Sequence, residues 1–328
     1  MDDPQLRKPQ ARLLLSACLV AALIISDVIS QGITTPSKST PQPESVVVTV
    51  STDAVPLSEV SASVTIISRD EIESSQATTV FDLLQHTPFL HVSQAGSRGG
   101  LTTASIRGGD PNFTLILLDG IPVNDPTNLL GGSFDLATLH LGNVERIEII
   151  RGPISSRHGS EAIGGALNII SRKGQGPLNT LLNVQGGNFQ NWEVGIRTSG
   201  SFKAWDYAAS ISHFGIGEQV ENDNFESTQL SVKSGVSPSD TTSIDLVFRL
   251  HDRNTNSFPP NGGGPEFSLL REFKHSEVQE GILGLAWQHQ ISPTWFYKIN
   301  FDYYDRLEHS QTPAILDTVP PTAAAQPP

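Results

Sequence analysis

The sequence predicts an α+β domain followed by the antiparallel strands of a transmembrane β-barrel. Three observations predict this fold class. The composition combines 37% hydrophobic residues with only 7% aromatics and 17% charged residues, which is typical of many short strands and turns. Helical and strand patterns alternate between residues 62 and 173. From residue 179 onward, segments of about ten residues alternate polar and apolar side chains, the pattern of barrel strands.

The first thirty residues predict an export signal. Three basic residues precede an apolar run over 13–25, and small residues follow before a break. We expect cleavage near Ser30–Gln31, so residues 1–30 form a signal peptide. A membrane anchor is the first alternative, but the run is shorter than the roughly 20 residues of a spanning helix. A lipoprotein acylated at Cys18 is the second alternative.

Residues 31–61 predict a disordered leader that contains one β-prone segment. Thr, Ser, Pro and Gln dominate 31–44, so this stretch buries too little apolar surface to offset its ordering entropy. Glu44–Val50 then brings four valines together. The segment is interpreted either as the first strand of the next domain or as an exposed strand that pairs with a partner's sheet edge.

Residues 62–173 predict a compact domain of strands and short helices. Capping chemistry around Ser68 indicates one helix, and core-spaced apolar residues indicate a second helix over 79–85, before Pro88. Asp119-Gly120 indicates a tight turn. The predicted strands cover 64–67, 104–107, 114–118 and 146–150.

Residues 174–328 predict the first part of a barrel. Ile244, Leu246 and Phe248 fall on one face of a strand, and Arg249 and His251 fall on the other. Seven strands are predicted in this way, near 180–187, 191–199, 202–214, 226–236, 241–251, 276–290 and 294–305.

The connections between these strands alternate in length. Short turns are predicted at Gly200–Ser201, 237–240 and 291–293. The alternate connections at 215–225 and 252–275 are longer, although the first of that set, at 188–190, is short. Short turns on one side and long loops on the other favour an outer-membrane barrel over a soluble β-sandwich.

Charge and motifs exclude several classes of function. A net charge of −13 argues against a nucleic-acid partner, because phosphate binding requires clustered Lys and Arg. One cysteine permits neither a disulfide framework nor a Cys-ligated zinc site. No nucleotide-binding, metalloprotease or nucleophile-elbow motif is present, so no enzyme and no cofactor are expected. A weak Ca²⁺ site is predicted at Glu218, Glu221 and Asp223, with a solvated acidic loop as the alternative.

Four ordered blocks resemble the plug domain of TonB-dependent receptors. They are the segments around 106–108, 115–124, 144–153 and 159–170, and they look closest to the vitamin B12 receptor branch. The residues that carry this resemblance are Arg107, Gly108, Asp119, Gly120, Glu145, Arg146, Arg151, Gly152, Pro153, Gly159, Gly164, Gly165 and Asn168.

The resemblance implies an energy-coupled transporter of the outer membrane. Its ligand would be a small molecule or metal chelate, such as cobalamin or a ferric siderophore. By family position, the segment gripped by the energy-transducing protein TonB comprises Glu44, Ser45, Val46, Val47, Val48, Thr49 and Val50. The arginines 107, 146 and 151 either meet the barrel wall or satisfy internal carboxylates such as Glu145 and Glu148.

Two other classes of function are alternatives, and the number of predicted strands is small for a barrel of this kind. An adhesin or pore would not need the plug blocks, and a TonB-linked signal transducer would need a further domain where only 31–43 lies. Seven strands do not close the 22-stranded barrel of plugged transporters, so the chain is expected to be an incomplete barrel. Thr312–Pro328 is interpreted as the start of an outer loop.

Overall fold

The computed structural model describes residues 47–48, 55–56, 63–75, 77, 79–95, 99–127, 131–153, 160–188, 190–217, 223–257, 274–292 and 294–311. The expected signal peptide, most of the leader and Thr312–Pro328 lie outside these residues. Among the described residues, no helix is long and apolar enough to cross a membrane.

Four short strands and two helices open the described chain. Strand β1 (Val47–Val48) pairs antiparallel with β2 (Val55–Pro56), and β3 (Ser63–Ile67) leads into α1 (Arg69–Ser75). The second helix, α2 (Val80–Leu84), is followed by β4 (Leu90–Gln94). Both predicted helices are confirmed.

Each helix begins at a capping residue. The Ser68 backbone amide and hydroxyl both donate to Glu71, and the Thr79 hydroxyl accepts from the Asp82 amide. These contacts satisfy amides that a short helix leaves free at its first turn. Helix α2 buries its apolar face in the core, as its spacing predicts.

The centre of the N-terminal domain is a mixed five-stranded sheet. Strand β5 (Thr102–Ile106) precedes most of it in the chain and is not part of it. The sheet joins β3 to four later strands in the order β3-β8-β9-β6-β7. These four are β6 (Thr114–Leu118), β7 (Ile121–Pro122), β8 (Val144–Arg151) and β9 (Gly165–Ser171). The β6–β9 pair is parallel and the others are antiparallel, while β4 and β5 form a separate pair. Side chains of β6 and β9 are buried throughout.

Gly165 is required where β9 begins beside β8. Its φ is +142°, and a Cβ there would collide with the backbone carbonyl of Ile150. Gly165→Ala is expected to destabilise the domain by about 3 kcal/mol or more, because both the backbone and its neighbour must shift. Chemical denaturation of the folded protein measures this. Gly142→Ala is the matched control, since no atom lies near its added Cβ; equal stability loss in both variants would contradict the argument.

The C-terminal part is a seven-stranded antiparallel sheet in sequence order, called the wall. Its strands are β10 (Asn179–Gly186), β11 (Trp192–Phe202), β12 (Trp205–Ile216), β13 (Asn224–Ser239), β14 (Thr242–Ser257), β15 (Lys274–Ser292) and β16 (Trp295–Gln311). The predicted fold class, number of strands and alternation are confirmed: apolar side chains such as Ile244 and Phe301 face outward, and Arg249 and His251 face the domain.

The short turns lie later than predicted. The first is Lys203–Ala204, with Lys203 at φ 54°, and not Gly200–Ser201, which continue β11. The second is Asp240–Thr241, and β14 extends to Ser257 into the predicted long connection. Polar and glycine residues continue these strands because ladder hydrogen bonds do not require apolar side chains.

Candidate functional site

The candidate site is the interface between the N-terminal domain and the inner face of the wall. The domain's apolar core continues into the wall, where it includes Ile282 of β15. Gly284 makes room for this contact, since a side chain there would meet Ile121. Around this apolar contact, the inner face of β13–β16 carries buried polar and charged residues.

Asp119 is the most heavily paired group of the interface. It lies at the β6–β7 turn with φ 53°, and its carboxylate accepts from Lys233 Nζ at 2.8 Å and Arg249 Nη2 at 3.3 Å. Ser171 adds its backbone amide at 2.9 Å and its hydroxyl at 2.6 Å. Burial alone would raise the pKa of Asp119, but the charges of Lys233 and Arg249 outweigh it and hold the pKa well below its ordinary value.

Two further ion pairs repeat this arrangement. Arg253 Nη1 lies 2.5 Å from Asp135 Oδ2, and both side chains are almost fully buried. Arg306 Nε lies 3.5 Å from Asp125 Oδ2. In each of these pairs the domain supplies the carboxylate and the wall supplies the cation. Because each charge is buried, removing either partner would leave the other uncompensated in a poorly solvated site.

A chain of polar contacts runs from the domain across four wall strands, β13 to β16. His140 Nε2 lies 2.9 Å from Ser227 Oγ, which lies 2.9 Å from His251 Nε2. His251 Nδ1 is 3.6 Å from Glu280, whose other oxygen accepts from Arg306 at 2.7 Å. Burial, with the charges of His251 and His213, lowers the pKa of His140 to about 3, so His140 is neutral near pH 7.

Ser227, His251 and Glu280 resemble a hydrolytic triad in their order but have no room for a substrate. The cavity beside His251 and Glu280 measures about 10 Å³, space for one water molecule at most. Ser227 is itself only 1% exposed. The chain of polar contacts therefore holds the domain to the wall, and its Ser227 hydroxyl is not an accessible nucleophile.

The predicted arginines have other partners within the described residues. Arg146 pairs with Glu148 inside the domain at 3.0 Å, which confirms the alternative of an internal carboxylate for this residue. Arg151 donates to Thr65 Oγ1 and the Pro88 carbonyl, and Arg107 lies exposed at φ 54°. Glu145 lies 3.9 Å from Arg172. The wall contacts of Asp119, Asp125 and Asp135 were missed because their partners lie more than a hundred positions away.

The remaining motif residues connect the central strands. Asn168 donates to Glu148 Oε2 at 3.4 Å and accepts from the Gly120 amide at 3.2 Å. Gly164 donates its amide to the Phe113 carbonyl at 2.8 Å. Positive φ angles occur at Gly108, Gly120 and Gly152, and Pro153 follows the last of these. Gly159 lies outside the described residues.

Two predicted binding segments are described only in part. Of the predicted TonB-binding segment, Val47 and Val48 are described, as strand β1; Glu44, Ser45, Val46, Thr49 and Val50 lie outside the described residues. Of the predicted Ca²⁺ ligands, Asp223 is described and buried, whereas Glu218 and Glu221 lie outside. Within the described ranges, no cluster of three or more His, Cys, Asp or Glu side chains is arranged to hold a metal ion.

Comparison with known proteins identifies relatives of both parts of the chain. Residues 56–166 match the TonB-dependent Receptor Plug Domain family. The chain is 35% identical over 159 residues to the vitamin B12 transporter BtuB of Vibrio vulnificus, covering 48% of this chain and 26% of that protein. It thus spans about a quarter of the length of this relative.

Two solved structures share the fold. The ferripyoverdine receptor of the Pseudomonas aeruginosa outer membrane superposes with a TM-score of 0.64 at 15% identity, over 78% of this chain and 35% of the receptor. The ferric yersiniabactin uptake receptor FyuA of Yersinia pestis gives a TM-score of 0.61 at 15% identity, over 77% and 42% of the two chains. In both superpositions the matched part of this chain is large enough to include the N-terminal domain together with the wall.

Proposed function

We propose that this chain, whose residues 56–166 match the TonB-dependent receptor plug domain, forms the plug and the first barrel strands of an energy-coupled outer-membrane transporter. The N-terminal domain is then the plug. The observation that carries the proposal is the interface itself. A folded domain is held against the inner face of the wall by buried ion pairs, with no covalent tie between the two surfaces.

Reversible attachment of this kind suits a domain that must both seal a barrel and move. Each polar contact is a charge pair or hydrogen bond that can form again after the domain has moved away from the wall and returned to it. The Ser227, His251 and Glu280 group has no room for a substrate, which supports binding and movement rather than covalent chemistry at this group.

We propose that TonB pulls on Glu44–Val50 from the periplasm. The segment precedes β3, which is an edge strand of the central sheet and pairs only with β8 through five residue pairs. Strand addition to a partner depends mainly on backbone hydrogen bonds, which a run of valines in extended conformation supplies. Force applied to this segment would reach an edge strand first.

The cargo is proposed to be cobalamin or a ferric siderophore. The relatives named above include a vitamin B12 transporter and receptors for two ferric chelates. The test is accumulation of labelled cyanocobalamin and of labelled ferric chelates in cells that express the full-length receptor, with and without TonB. TonB-dependent accumulation of at least one cargo is expected. Entry that is equal in both strains would instead indicate an open pore.

A further inference from the structure

The plug is attached unevenly to the wall. The buried ion pairs of Asp119, Asp125 and Asp135, and the chain that begins at His140, all end on β13–β16. The plug side facing β10–β12 consists of α1 and segment 140–143. The described contacts there are weaker: Arg197 Nη1 donates to the Gly142 carbonyl at 2.7 Å, and the rings of His140 and Phe214 lie 5.7 Å apart. The ion pair on this side, from Lys173 to Asp206 at 3.4 Å, has a half-exposed lysine and is therefore not buried as the pairs on β13–β16 are.

A cavity of about 770 Å³ separates the plug from β10–β12. This volume falls within the roughly 300–1,000 Å³ of small-molecule sites. The wall lines it mainly with residues of β10, β11 and β12, and the plug lines it with α1, Ala77 and segment 140–143. Gly195 of β11 and Ser212 of β12 face each other on the wall side.

The lining mixes polar with apolar residues, such as Ile72 and Leu181, and its charges are balanced. Two arginines, Arg69 and Arg197, oppose two glutamates, Glu73 and Glu193, and the other polar groups are amides, hydroxyls and His140. Asn143 is 4% exposed, and its Oδ1 has no hydrogen-bond partner among the described residues. Since a buried carbonyl without a partner is costly, this atom is available to a bound solute or water.

We propose that cargo passes between the plug and the wall through this cavity, along β10–β12, while the plug stays attached to β13–β16. The inference rests on the proposed function and specifies its route. A net-neutral lining rich in amides and hydroxyls suits a polar cargo with many hydrogen-bonding groups. The paired charges prevent strong retention of either an anion or a cation, so cargo can leave the cavity as well as enter it.

The route can be blocked after folding by attaching a group at Ser212. Cys18 is the only cysteine of this chain, so Ser212→Cys introduces a single thiol into the body of the protein, at a half-buried position facing the cavity. A bulky methanethiosulfonate reagent then fills the cavity through a disulfide, and a reducing agent removes it. Because the protein is already assembled, the block does not depend on how the variant folds.

Import of labelled cyanocobalamin and ferric chelates is measured before thiol modification, after it and after reduction, beside binding at the cell surface. The modified Ser212→Cys variant is expected to lose import towards the level of cells without TonB, to keep surface binding, and to recover on reduction. Ser237→Cys, exposed near the short turns, is the matched control and should import normally when modified.

The outcomes separate the two proposals. Import that persists in the modified Ser212→Cys variant overturns the β10–β12 route and leaves the transporter intact. Equal loss in the Ser237→Cys control also overturns the route, because the effect would not be local. Absence of TonB-dependent import in the unmodified wild type overturns the proposed function and the route together.

Discussion

Val48→Pro is expected to abolish TonB-dependent uptake while leaving ligand binding at the cell surface intact. Proline removes a backbone donor and fixes φ, so a strand added to TonB loses a ladder bond and its register. Val48 already adopts extended backbone in β1, opposite Val55. Val47 and Val48 therefore have the conformation that strand addition requires. Surface binding and energised uptake are measured side by side in the full-length receptor.

Val48→Ile is the control for this substitution. It keeps the backbone donor and the β-branched side chain, so uptake should match the wild type. Uptake that survives Val48→Pro would contradict a coupling role for this segment. Binding that falls together with uptake would instead indicate that the valine segment is part of the plug's own fold.

Asp119→Asn is expected to destabilise docking of the plug by about 3–5 kcal/mol, the range for breaking a buried ion pair on one side. The amide leaves the charges of Lys233 and Arg249 without their shared counter-ion, 2.8 and 3.3 Å away. It also offers one acceptor oxygen where the carboxylate offers two to Ser171. Denaturant unfolding of the detergent-solubilised receptor, followed by hydrogen exchange of the plug's backbone amides, measures the loss.

The pH dependence of this contact provides a second readout. The folded-state pKa of Asp119 lies below its ordinary value of about 4, so its contribution is fully present above that pH. The contribution is lost only as the pH falls through the lower folded-state pKa. Asp119→Asn should remove this part of the acid sensitivity. Asp240→Asn, at an exposed turn, is the control, and equal destabilisation of both variants would contradict the role of Asp119.

The wall was largely predictable because its strands are solvated differently on their two faces. Alternation of period two identified seven strands and placed Arg249 and His251 on the face opposite the apolar residues. The structure shows that this face points inward. Strand β9 lies within a motif block but was not predicted as a strand. Its side chains are buried on both faces, so no alternation marks it. The turns were displaced because Gly and Ser, common in loops, here continue the ladder.

The polar partners of the interface were not predictable from local patterns. Asp119 was assigned to a turn, which is correct, but its partners Lys233 and Arg249 lie 114 and 130 positions further along the chain. The alternating pattern predicts which face of a strand carries a cation, but it does not predict which carboxylate that cation pairs with. Contacts with the wall were considered instead for Arg107, Arg146 and Arg151, but Arg146 pairs with Glu148 within the plug.

The strand order of the central sheet also governs when the plug can fold. Residue 67 pairs with residue 147, and residue 118 pairs in parallel with residue 169, so the sheet joins segments distant in sequence. Contacts of this kind slow folding, because a large loop must close before any pairing compensates for it. Synthesis must also pass Ser171 before β9 can enter the sheet. A nascent chain with this topology is expected to stay unfolded for longer, which would suit the export that the predicted signal at residues 1–30 requires.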